Sequence, residues 1–572
     1  MEGYRPRPRP AGLARWLPGL AVFRDYPRDA LRGDLVAGLS AFLVMIPSVL
    51  AYSELVGVPA ALGLYSAIGA MVGYALFSRG TPVVAGPDAT TALLAAAVVA
   101  PLAGGDPART LALATALPFV VGAILFVASR MKVGDLADLL SKPVLVGYLN
   151  GSALILVGTQ VGKLIGVPLV NDSFFPRVAE AASRLPATHL PTLALGLAFI
   201  GLLYVLKRYA PAVPGSLAVC VVGIVVAWAF DLAQYRVALL GDMPQGLPSP
   251  RLPAVSAQDV LDLAPGALAL ATLIFAEGIL LARAVAANLR QDIHANGELA
   301  ALGTANLGAG LLGGYTVGSS GSRTLTVAAY GGRTQVAQWT AATLMLLFVL
   351  VLAPLLKWLP IVALAALLVY TGFALFDWQE NLRLKRLEPH AFRLSLGVSL
   401  GVLLFGVLPG ILVGVALSVL ALLMSTARPR DAVLRRAPPD HRFHDIDEAG
   451  VGESPPGVVV YRVYAPLVFA NARHVAGRVR GLMRGANGSM RCIVFDMQAV
   501  TMMDITAMEV LDELFDELGE AGIDFRFSHT NRPLREQLMR LGLTTHVGAD
   551  RFFHAAWEAV EDFQRKNGSV PR

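Results

Sequence analysis

Charged side chains are scarce in this chain of 572 residues: they account for 15% of it, whereas 55% of the residues are hydrophobic. A soluble domain carries about a quarter of its residues as Asp, Glu, Lys or Arg. The shortage of charge excludes a chain that folds entirely in water. It predicts a polytopic α-helical membrane protein.

Several other features are also lacking. The two cysteines, Cys220 and Cys492, are too few and too far apart for a disulfide framework or a cysteine metal site. Residues 1–15 lack the apolar core and cleavage site of a secretory signal, so we expect no removable signal peptide. The net charge of +6 comes without a long basic cluster, which argues against nucleic-acid binding. No phosphate-binding glycine loop and no nucleophile–base set are recognisable, so we expect no enzyme and no bound cofactor.

Hydrophobic segments recur throughout residues 33–426 and are long enough to cross a bilayer core of about 30 Å. We count fourteen spans. They cover about residues 34–53, 59–77, 86–103, 110–128, 144–162, 190–206, 213–230, 264–283, 297–313, 322–330, 336–355, 359–376, 392–408 and 410–426. The third and the tenth are broken at their starts.

The loops that follow the even-numbered spans carry most of the cations, which favours a cytoplasmic position for them. These cations are Arg79, Arg130, Lys132, Lys142, Lys207, Arg208, Arg283, Arg290, Arg333, Arg383, Lys385, Arg386 and Arg393. We therefore expect a protein of the cell inner membrane with both termini in the cytoplasm. Residues 1–32 would form a cytoplasmic N-terminal segment, and residues 33–426 the transmembrane domain.

Two breaks rich in Gly, Ser and Thr lie in matching places of two halves, at residues 85–91 and 318–324. The halves cover about residues 33–231 and 263–426 and hold seven spans each. Because seven is odd, they run in opposite directions through the membrane, as in an inverted repeat. Helices that begin within the membrane present free N–H groups and a positive end, and in transporters they mark the substrate site.

The composition changes after Met424. Residues 427–456 are basic and contain proline, which predicts a linker. Within 457–566, strand patterns at Val458–Val463, Cys492–Asp496 and 523–527 alternate with an amphipathic helix pattern at 511–520. The tail is therefore predicted to be a cytoplasmic α/β domain.

Five motifs together resemble those of the SulP anion transporters (solute carrier family 26) with a C-terminal STAS domain. Residues 46–52 are similar to the family's Ile-Pro-Gln-x-x-Ala-Tyr/Phe, and residues 58–65 are similar to Pro-x-x-Gly-Leu-Tyr. Residues 85–87 are similar to Val-Gly-Pro, and residues 321–324 are similar to Ser-Arg-Ser/Thr. Residues 496–507 are similar to the STAS loop Asp-x-x-x-Val-x-x-x-Asp-Ser-Ser-Gly. The match covers nearly the whole chain.

The resemblance implies the fold of uracil-permease-like carriers. A mobile core domain would contain spans 1–4 and 8–11, a gate domain would contain spans 5–7 and 12–14, and the protein would be a homodimer. It also implies that Ser322 lies at the anion site. Stand-alone STAS proteins are phosphorylated on a Ser whose place is taken here by Ile505, beside Thr506. The tail is therefore expected to serve folding, dimer contacts or a cytoplasmic protein partner.

At the second break, the backbone of Gly321 and the hydroxyls of Ser322 and Thr324 are expected to donate to an anion, and Arg323 adds positive charge. The alternative is a Gly/Ser packing cluster from which Arg323 reaches the membrane interface.

At the first break, Gly86, Ala89 and Thr90 are expected to form the matching part of the anion site, with Pro87 in the first helical turn. Asp88 is the exception, because its charge would repel an anion. It either caps the helix, pairs with a cation such as Arg323, or titrates during transport.

Glu277 is predicted to lie near the middle of the eighth span, where an ionisable side chain costs about 2.5–3.5 kcal/mol and is functional by default. The resemblance implies a coupling role, and we expect a proton as the coupling ion and sodium as the second choice. Leu281, one turn later, supplies no oxygen ligand for a cation. Ser48, where relatives often carry Gln, and Tyr52 are expected to line the cavity.

The sequence thus predicts secondary active transport of an inorganic anion of the sulfate or bicarbonate class, held between half-helices 3 and 10. The alternatives are a C4-dicarboxylate symporter, a nucleobase carrier, an anion channel or exchanger, and a signalling protein with the tail as receiver.

Overall fold

The computed structural model describes residues 17–24, 26–78, 83–134, 141–171, 173–211, 213–244, 246, 250, 252–289, 293–436, 443–445, 453–540 and 549–567. Most of the predicted N-terminal segment, two of the loop cations (Arg79 and Arg290) and parts of the predicted linker lie outside these residues. The chain divides into two compact units, with the boundary between Ser418 and Val419.

Each of the fourteen predicted spans coincides with one helix of the described residues, and α1–α14 below carry the numbers of the spans. The helices are α1 Leu31–Val56, α2 Ala61–Phe77, α3 Ala89–Ala103, α4 Pro107–Arg130, α5 Lys142–Ile165, α6 Leu190–Tyr209, α7 Gly215–Phe230, α8 Ala257–Leu289, α9 Ala295–Leu311, α10 Gly321–Ala329, α11 Val336–Val351, α12 Ile361–Leu375, α13 Pro389–Phe405 and α14 Val407–Ala427. Short helices at Phe174–Ser183 and Trp378–Leu387 lie in connections.

Within the described residues, seven helical segments are long and apolar enough to cross a membrane, and five of the other helices are apolar but shorter. The prediction of a polytopic helical membrane protein is confirmed. Helix α8 begins at Ala257, earlier than the predicted start at 264. Hydropathy missed its first turns because they carry polar residues such as Asp259.

The helix contacts have the pattern of an inverted repeat in which helix n of the first half corresponds to helix n+7 of the second. Helix α9 packs on α4 as α2 packs on α11, α8 packs on α4 as α1 packs on α11, and α10 packs on α1 as α3 packs on α8. In the same way, α13 packs on α5 as α6 packs on α12. Following the predicted division of the repeat, α1–α4 and α8–α11 are called the core set here, and α5–α7 and α12–α14 the gate set.

Helices α2 and α9, which correspond to each other in the repeat, cross at glycines. A Cβ on Gly69 would collide with the carbonyl oxygen of Gly308, and a Cβ on Gly308 with that of Gly69. Small residues of this kind let transmembrane helices approach until their backbones touch. The centre of the core set therefore depends on the absence of two side chains.

The second unit contains a sheet whose described strands are β3 Asp431–Arg436, β4 Phe443–Asp445, β5 Val458–Val463, β6 Cys492–Asp496, β7 Asp524–Ser528 and β8 Phe552–Phe553. Their order is β4-β3-β5-β6-β7-β8, with β5 to β8 parallel and β3 and β4 antiparallel at one edge. Its helices are α15 Ala472–Gly485, α16 Ile505–Glu520, α17 Arg532–Arg540 and α18 Ala556–Lys566.

The expectation of a linker over 427–456 is wrong for the two segments that form β3 and β4. Leu434 and Phe443 from these segments are buried against the sheet. The basic residues misled the prediction because β3 keeps the Arg435 side chain exposed while Leu434 beside it is buried, so the strand carries charge without burying it. On the same face of the sheet, burial raises the pKa of the Cys492 thiol to about 12 and makes it unreactive.

The crossing of α2 and α9 predicts that Gly308→Ala lowers the melting temperature of the purified protein by several degrees, because overpacking costs about 1–3 kcal/mol. Gly201→Ala on α6 is the matched control, since a Cβ there meets none of the described atoms within 4 Å. Thermal unfolding in detergent, followed by tryptophan fluorescence, compares the two. Equal melting temperatures would show that the crossing does not need glycine.

Candidate functional site

The two predicted breaks pair with each other as short strands. Strand β1, Ala85–Gly86, runs antiparallel to β2, Gly318–Ser319, and the Ser320 N–H donates to the Val84 carbonyl at 3.0 Å. Helix α3 begins three residues after β1, and α10 begins two residues after β2. The pairing therefore brings two helix N-termini to one place, which is called the crossed-strand site here.

Two amide side chains complete the backbone hydrogen bonds of these strands. Gln338 on α11 accepts from the Ala85 N–H at 3.0 Å and donates to the Val83 carbonyl at 2.8 Å. Asn306 on α9 accepts from the Val317 N–H at 3.0 Å and donates to its carbonyl at 2.9 Å. Both amides make the hydrogen bonds that a neighbouring strand would make, so these backbone groups are satisfied within the membrane.

At the start of α3, Asp88 is the N-cap. Its carboxylate accepts from the Thr91 N–H at 2.9 Å and from the hydroxyls of Thr90 and Thr91 at 2.7 and 2.6 Å. Among the described residues no carboxylate forms an ion pair with Arg323, although the charge of Asp88 acts on it. Of the three interpretations of Asp88, the structure shows the helix cap. Ala89 and Thr90 follow it and are buried.

Arg323 is only 2% exposed, so it does not reach the membrane interface. Its Nη2 donates to the Pro87 carbonyl of the other break. Its Nη1 lies beside Gly86, where a Cβ would be 3.3 Å away, and it has no hydrogen-bond partner in the described part of the chain. The guanidinium thus joins the two breaks and leaves its buried Nη1 without an acceptor in the described part of the chain.

The start of α10 differs from that of α3. Its N-cap, Ser320, makes no side-chain capping bond within the described residues, and Gly321 and Ser322 are exposed. By helix geometry the N–H groups of Gly321, Ser322 and Arg323 have no acceptor inside the helix. Thr324 is buried, and its hydroxyl accepts from the Val84 N–H at 2.9 Å. Thr324 therefore holds the breaks together as well as lying at the predicted site.

Glu277 on α8 is half-buried and lies next to the start of α3. Its Oε2 lies 3.0 Å from the Thr90 hydroxyl oxygen, within hydrogen-bonding distance. The next residue, Gly278, contacts Ser319 of β2, with a Cβ position 3.3 Å from the Ser319 hydroxyl. The structure therefore brings the two predicted coupling residues, Glu277 and Asp88, onto the same threonine.

Ser48 and Tyr52 lie on α1. The Ser48 hydroxyl donates to the Val44 carbonyl of its own helix at 3.0 Å. Tyr52 is buried, and the charges of Arg323 and Asp88 act on its hydroxyl. Both residues stay predictions as cavity-lining groups.

Two hydroxyls of the gate set were not predicted from the sequence. Tyr148 and Ser152 on α5 are buried, and their oxygens have no hydrogen-bond partner among the described residues. The charges of Glu277 and Asp88 act on Tyr148. A Tyr and a Ser one turn apart in an apolar helix were the available signal, but hydropathy alone does not tell a cavity-facing turn from a packed one.

In the second unit, the two acids of the STAS-like loop, Asp496 and Asp504, accept hydrogen bonds from other parts of the same domain. Asp496 is buried and accepts from Arg462 Nη2 at 2.6 Å, with His529 Nδ1 3.0 Å from its other oxygen. Asp504 caps α16 through the Ala507 N–H at 2.8 Å. Ile505 is 64% exposed at the start of that helix.

Two family models match the chain. The sulfate permease family matches residues 31–397, and the STAS domain matches residues 452–557. A probable sulfate transporter of Mycobacterium tuberculosis is 38% identical over 553 residues, which covers 97% of this chain and 99% of the relative. The chloroplastic sulfate transporter 4.1 of Arabidopsis thaliana is 27% identical, with 92% of this chain and 79% of the relative covered.

Solved structures share the fold. The chain is similar to murine solute carrier 26 family member A9 in the inward-facing state, with a TM-score of 0.89, 21% identity, and coverage of 99% of this chain and 97% of that one. It is also similar to the transmembrane domain of the cyanobacterial bicarbonate transporter BicA, with a TM-score of 0.59, 23% identity, and coverage of 69% and 98%. At these identities the likeness concerns the fold alone.

The packing of the crossed-strand site predicts a severe effect for Gly318→Ala. Its Cβ would lie 2.6 Å from the Thr91 hydroxyl and collide with the Asp88 carboxylate, so the helix cap and the strand pair cannot both persist. We expect lower thermal stability, by about 1–3 kcal/mol, together with loss of anion uptake. For Gly321→Ala the Cβ meets none of the described atoms within 4 Å, and we expect unchanged thermal stability. A stable and active Gly318→Ala protein would contradict the described site.

Proposed function

The chain belongs to the sulfate permease family, whose members are membrane transporters and not enzymes, and on that premise we propose that it carries a sulfate- or bicarbonate-class anion by proton-coupled secondary active transport. The anion would bind at the crossed-strand site. The protein would lie in the inner membrane with both termini in the cytoplasm.

The observation that carries the proposal is the convergence of two helix starts and the Arg323 guanidinium at one place. By helix geometry the first N–H groups of α3 and α10 have no acceptor inside their helices. Nη1 of Arg323 likewise has no acceptor within the described residues. Asp88, the one nearby acid on α3, already accepts three hydrogen bonds. An oxyanion supplies the acceptors that this site lacks.

Sulfate is the first choice within this class. The relatives that are 38% identical over nearly the whole chain are named as probable sulfate transporters. A C4-dicarboxylate or bicarbonate would use the same donors, so the choice rests on measurement. A nucleobase fits less well, because it has no negative charge for Arg323 to stabilise.

For alternating access, we propose that the core set moves against the gate set. In the proposed topology the C-terminal ends of α1 and α5 face the outside, and there Glu54 of the core set forms an ion pair with Lys163 of the gate set at 2.8 Å. Beside it lies a cavity of about 480 Å³. Lys163, Arg177 and Arg236 line it with Glu54, so its cations outnumber its acid and favour entry of anions.

Glu277 would carry the coupling proton. It is half-buried on a membrane helix and contacts the start of α3, where the anion would bind. A proton is the first choice over sodium, because Leu281, one helical turn after Glu277, supplies no oxygen ligand for a hard cation. The tail would serve folding, dimer contacts or a cytoplasmic partner, since Ile505 stands where stand-alone STAS proteins have the phosphorylated Ser.

Flux measurements on the purified protein in proteoliposomes test the proposed function. A panel of sulfate, bicarbonate, chloride and succinate is offered with and without proton and sodium gradients. We expect accumulation of one of the oxyanions when the outside is acidic. Accumulation of none of them under any gradient would refute active transport, and conductive, non-saturable flux would indicate a channel.

Glu277→Gln tests the coupling residue. Because the amide cannot carry the proton, we expect pH-driven accumulation to vanish while anion exchange at equal pH persists. Asn306→Leu controls for simple damage to the site, because it removes strand support and should lower both activities together. Unchanged uphill uptake by Glu277→Gln would rule out its coupling role.

The Glu54–Lys163 pair predicts a shift in external affinity. Breaking it by Glu54→Gln should favour the outward-open state by about 1 kcal/mol and lower the apparent KM for external anion about fivefold. The exchanged pair, Glu54→Lys with Lys163→Glu, should restore the original KM. If the shift in KM of the exchanged pair equals the sum of the shifts of Glu54→Lys and Lys163→Glu alone, the ion pair is not an outer contact that holds the transporter closed.

A further inference from the structure

The hydroxyl of Thr90 lies between two carboxylates. Its Oγ1 is 2.7 Å from Asp88 Oδ1 and 3.0 Å from Glu277 Oε2. Thr90 and Asp88 are buried, and Glu277 is half-buried. The contact joins the cap of α3 to the carboxylate of α8, two helices of the core set.

A hydroxyl has one proton and can donate to only one of the two acceptors. If both carboxylates were ionised, one of the two contacts would set lone pairs against each other. Asp88 accepts two further hydrogen bonds from Thr91, whereas Glu277 has Thr90 as its hydrogen-bond partner within the described residues. Both contacts are satisfied when Glu277 carries a proton and donates it to Thr90, and Thr90 donates to Asp88.

We propose that Thr90 is a positioning residue that transmits the protonation of Glu277 to the start of α3, so that the coupling proton and the anion bind cooperatively. The proposal rests on proton-coupled transport. When Glu277 loses its proton, it competes with Asp88 for the single Thr90 proton. The cap of α3 then weakens at the turn that offers the N–H groups of Ala89 and Thr90 to the anion. Thr90 itself gains and loses no proton over the cycle.

The ionisable and charged groups around this contact come from five separate segments of the chain. They are Asp88 at the start of α3, Arg323 on α10, Tyr148 on α5, Tyr52 on α1, and Tyr315 just before β2. Of these, Asp88 is the group that shares a hydrogen-bond partner with Glu277. By linkage, if the proton raises the affinity for the anion, the anion raises the affinity for the proton by the same factor.

Thr91 provides a matched control within the same turn. Its hydroxyl donates to the other oxygen of Asp88 at 2.6 Å, and Glu277 is not among its hydrogen-bond partners in the described part of the chain. Thr90→Val and Thr91→Val each remove one hydroxyl from the cap at nearly constant volume. They differ in the contact with Glu277.

The experiment measures uptake of radiolabelled sulfate, with bicarbonate as the second probe, by the full chain in proteoliposomes as a function of external pH. For Thr90→Val we expect the pH of half-maximal uptake to fall by about one unit, equivalent to about 1.4 kcal/mol. Thr90→Ser should keep the original midpoint. Thr91→Val should keep it too, whatever its effect on the rate. Thr90→Val combined with Glu277→Gln should have the same pH profile as Glu277→Gln alone.

A second readout is the apparent anion affinity at two pH values, followed by tryptophan fluorescence. The ratio of the two affinities should be smaller in Thr90→Val than in the unchanged protein. If Thr90→Val does not fold, Thr90→Ala removes the same hydroxyl without added bulk.

The proposal is overturned if the unchanged protein is proton-driven but Thr90→Val keeps its pH midpoint. It is also overturned if Thr91→Val shifts the midpoint equally, since the cap alone would then explain the effect. In both cases the proposed function stands. If neither anion is driven by a proton gradient in the unchanged protein, the proposed coupling itself fails, and the Thr90 proposal fails with it.

Discussion

The antiparallel pairing of two short broken segments is the constraint on which the site depends. A membrane offers no water to satisfy backbone groups, so a helix can begin within it only if the preceding residues find partners in the protein. Here β1 and β2 satisfy each other, and the amides of Gln338 and Asn306 satisfy their outer edges. The same pairing forces α3 and α10 to begin side by side. An arrangement that solves a problem of backbone hydrogen bonding thereby produces a place where unpaired donors converge.

The distribution of charge around this place follows from the same geometry. Arg323 is buried and donates to the carbonyl of Pro87, so its charge is held between the breaks while Nη1 stays without a hydrogen-bond partner in the described part of the chain. The Asp88 carboxylate accepts the hydrogen bonds that cap α3, which explains how an acid can stand one residue before an anion-binding turn. The two charges are therefore balanced locally without forming an ion pair, and the bond from Thr90 to Glu277 adds a group that can change its protonation.

The spans and both breaks could be predicted because hydropathy, glycine and serine are local signals. The inverted repeat followed from counting, and the helix pairs of the core and gate sets agree with it. Gln338, Tyr148 and the Thr324–Val84 contact could not be predicted, because each gains its role from a segment far away in the sequence. The strands β3 and β4 were missed for a different reason, since a strand with exposed arginines and a basic linker have the same composition.

The central claim is that an anion is held between the starts of α3 and α10. A cryo-electron microscopy structure of the protein in lipid nanodiscs, determined with and without saturating sulfate, tests it most directly. The account predicts added tetrahedral density within hydrogen-bonding distance of the backbone N–H groups of Thr90 and Ser322. Density at the outer cavity beside Lys163 alone, with an unchanged crossed-strand site, would contradict it.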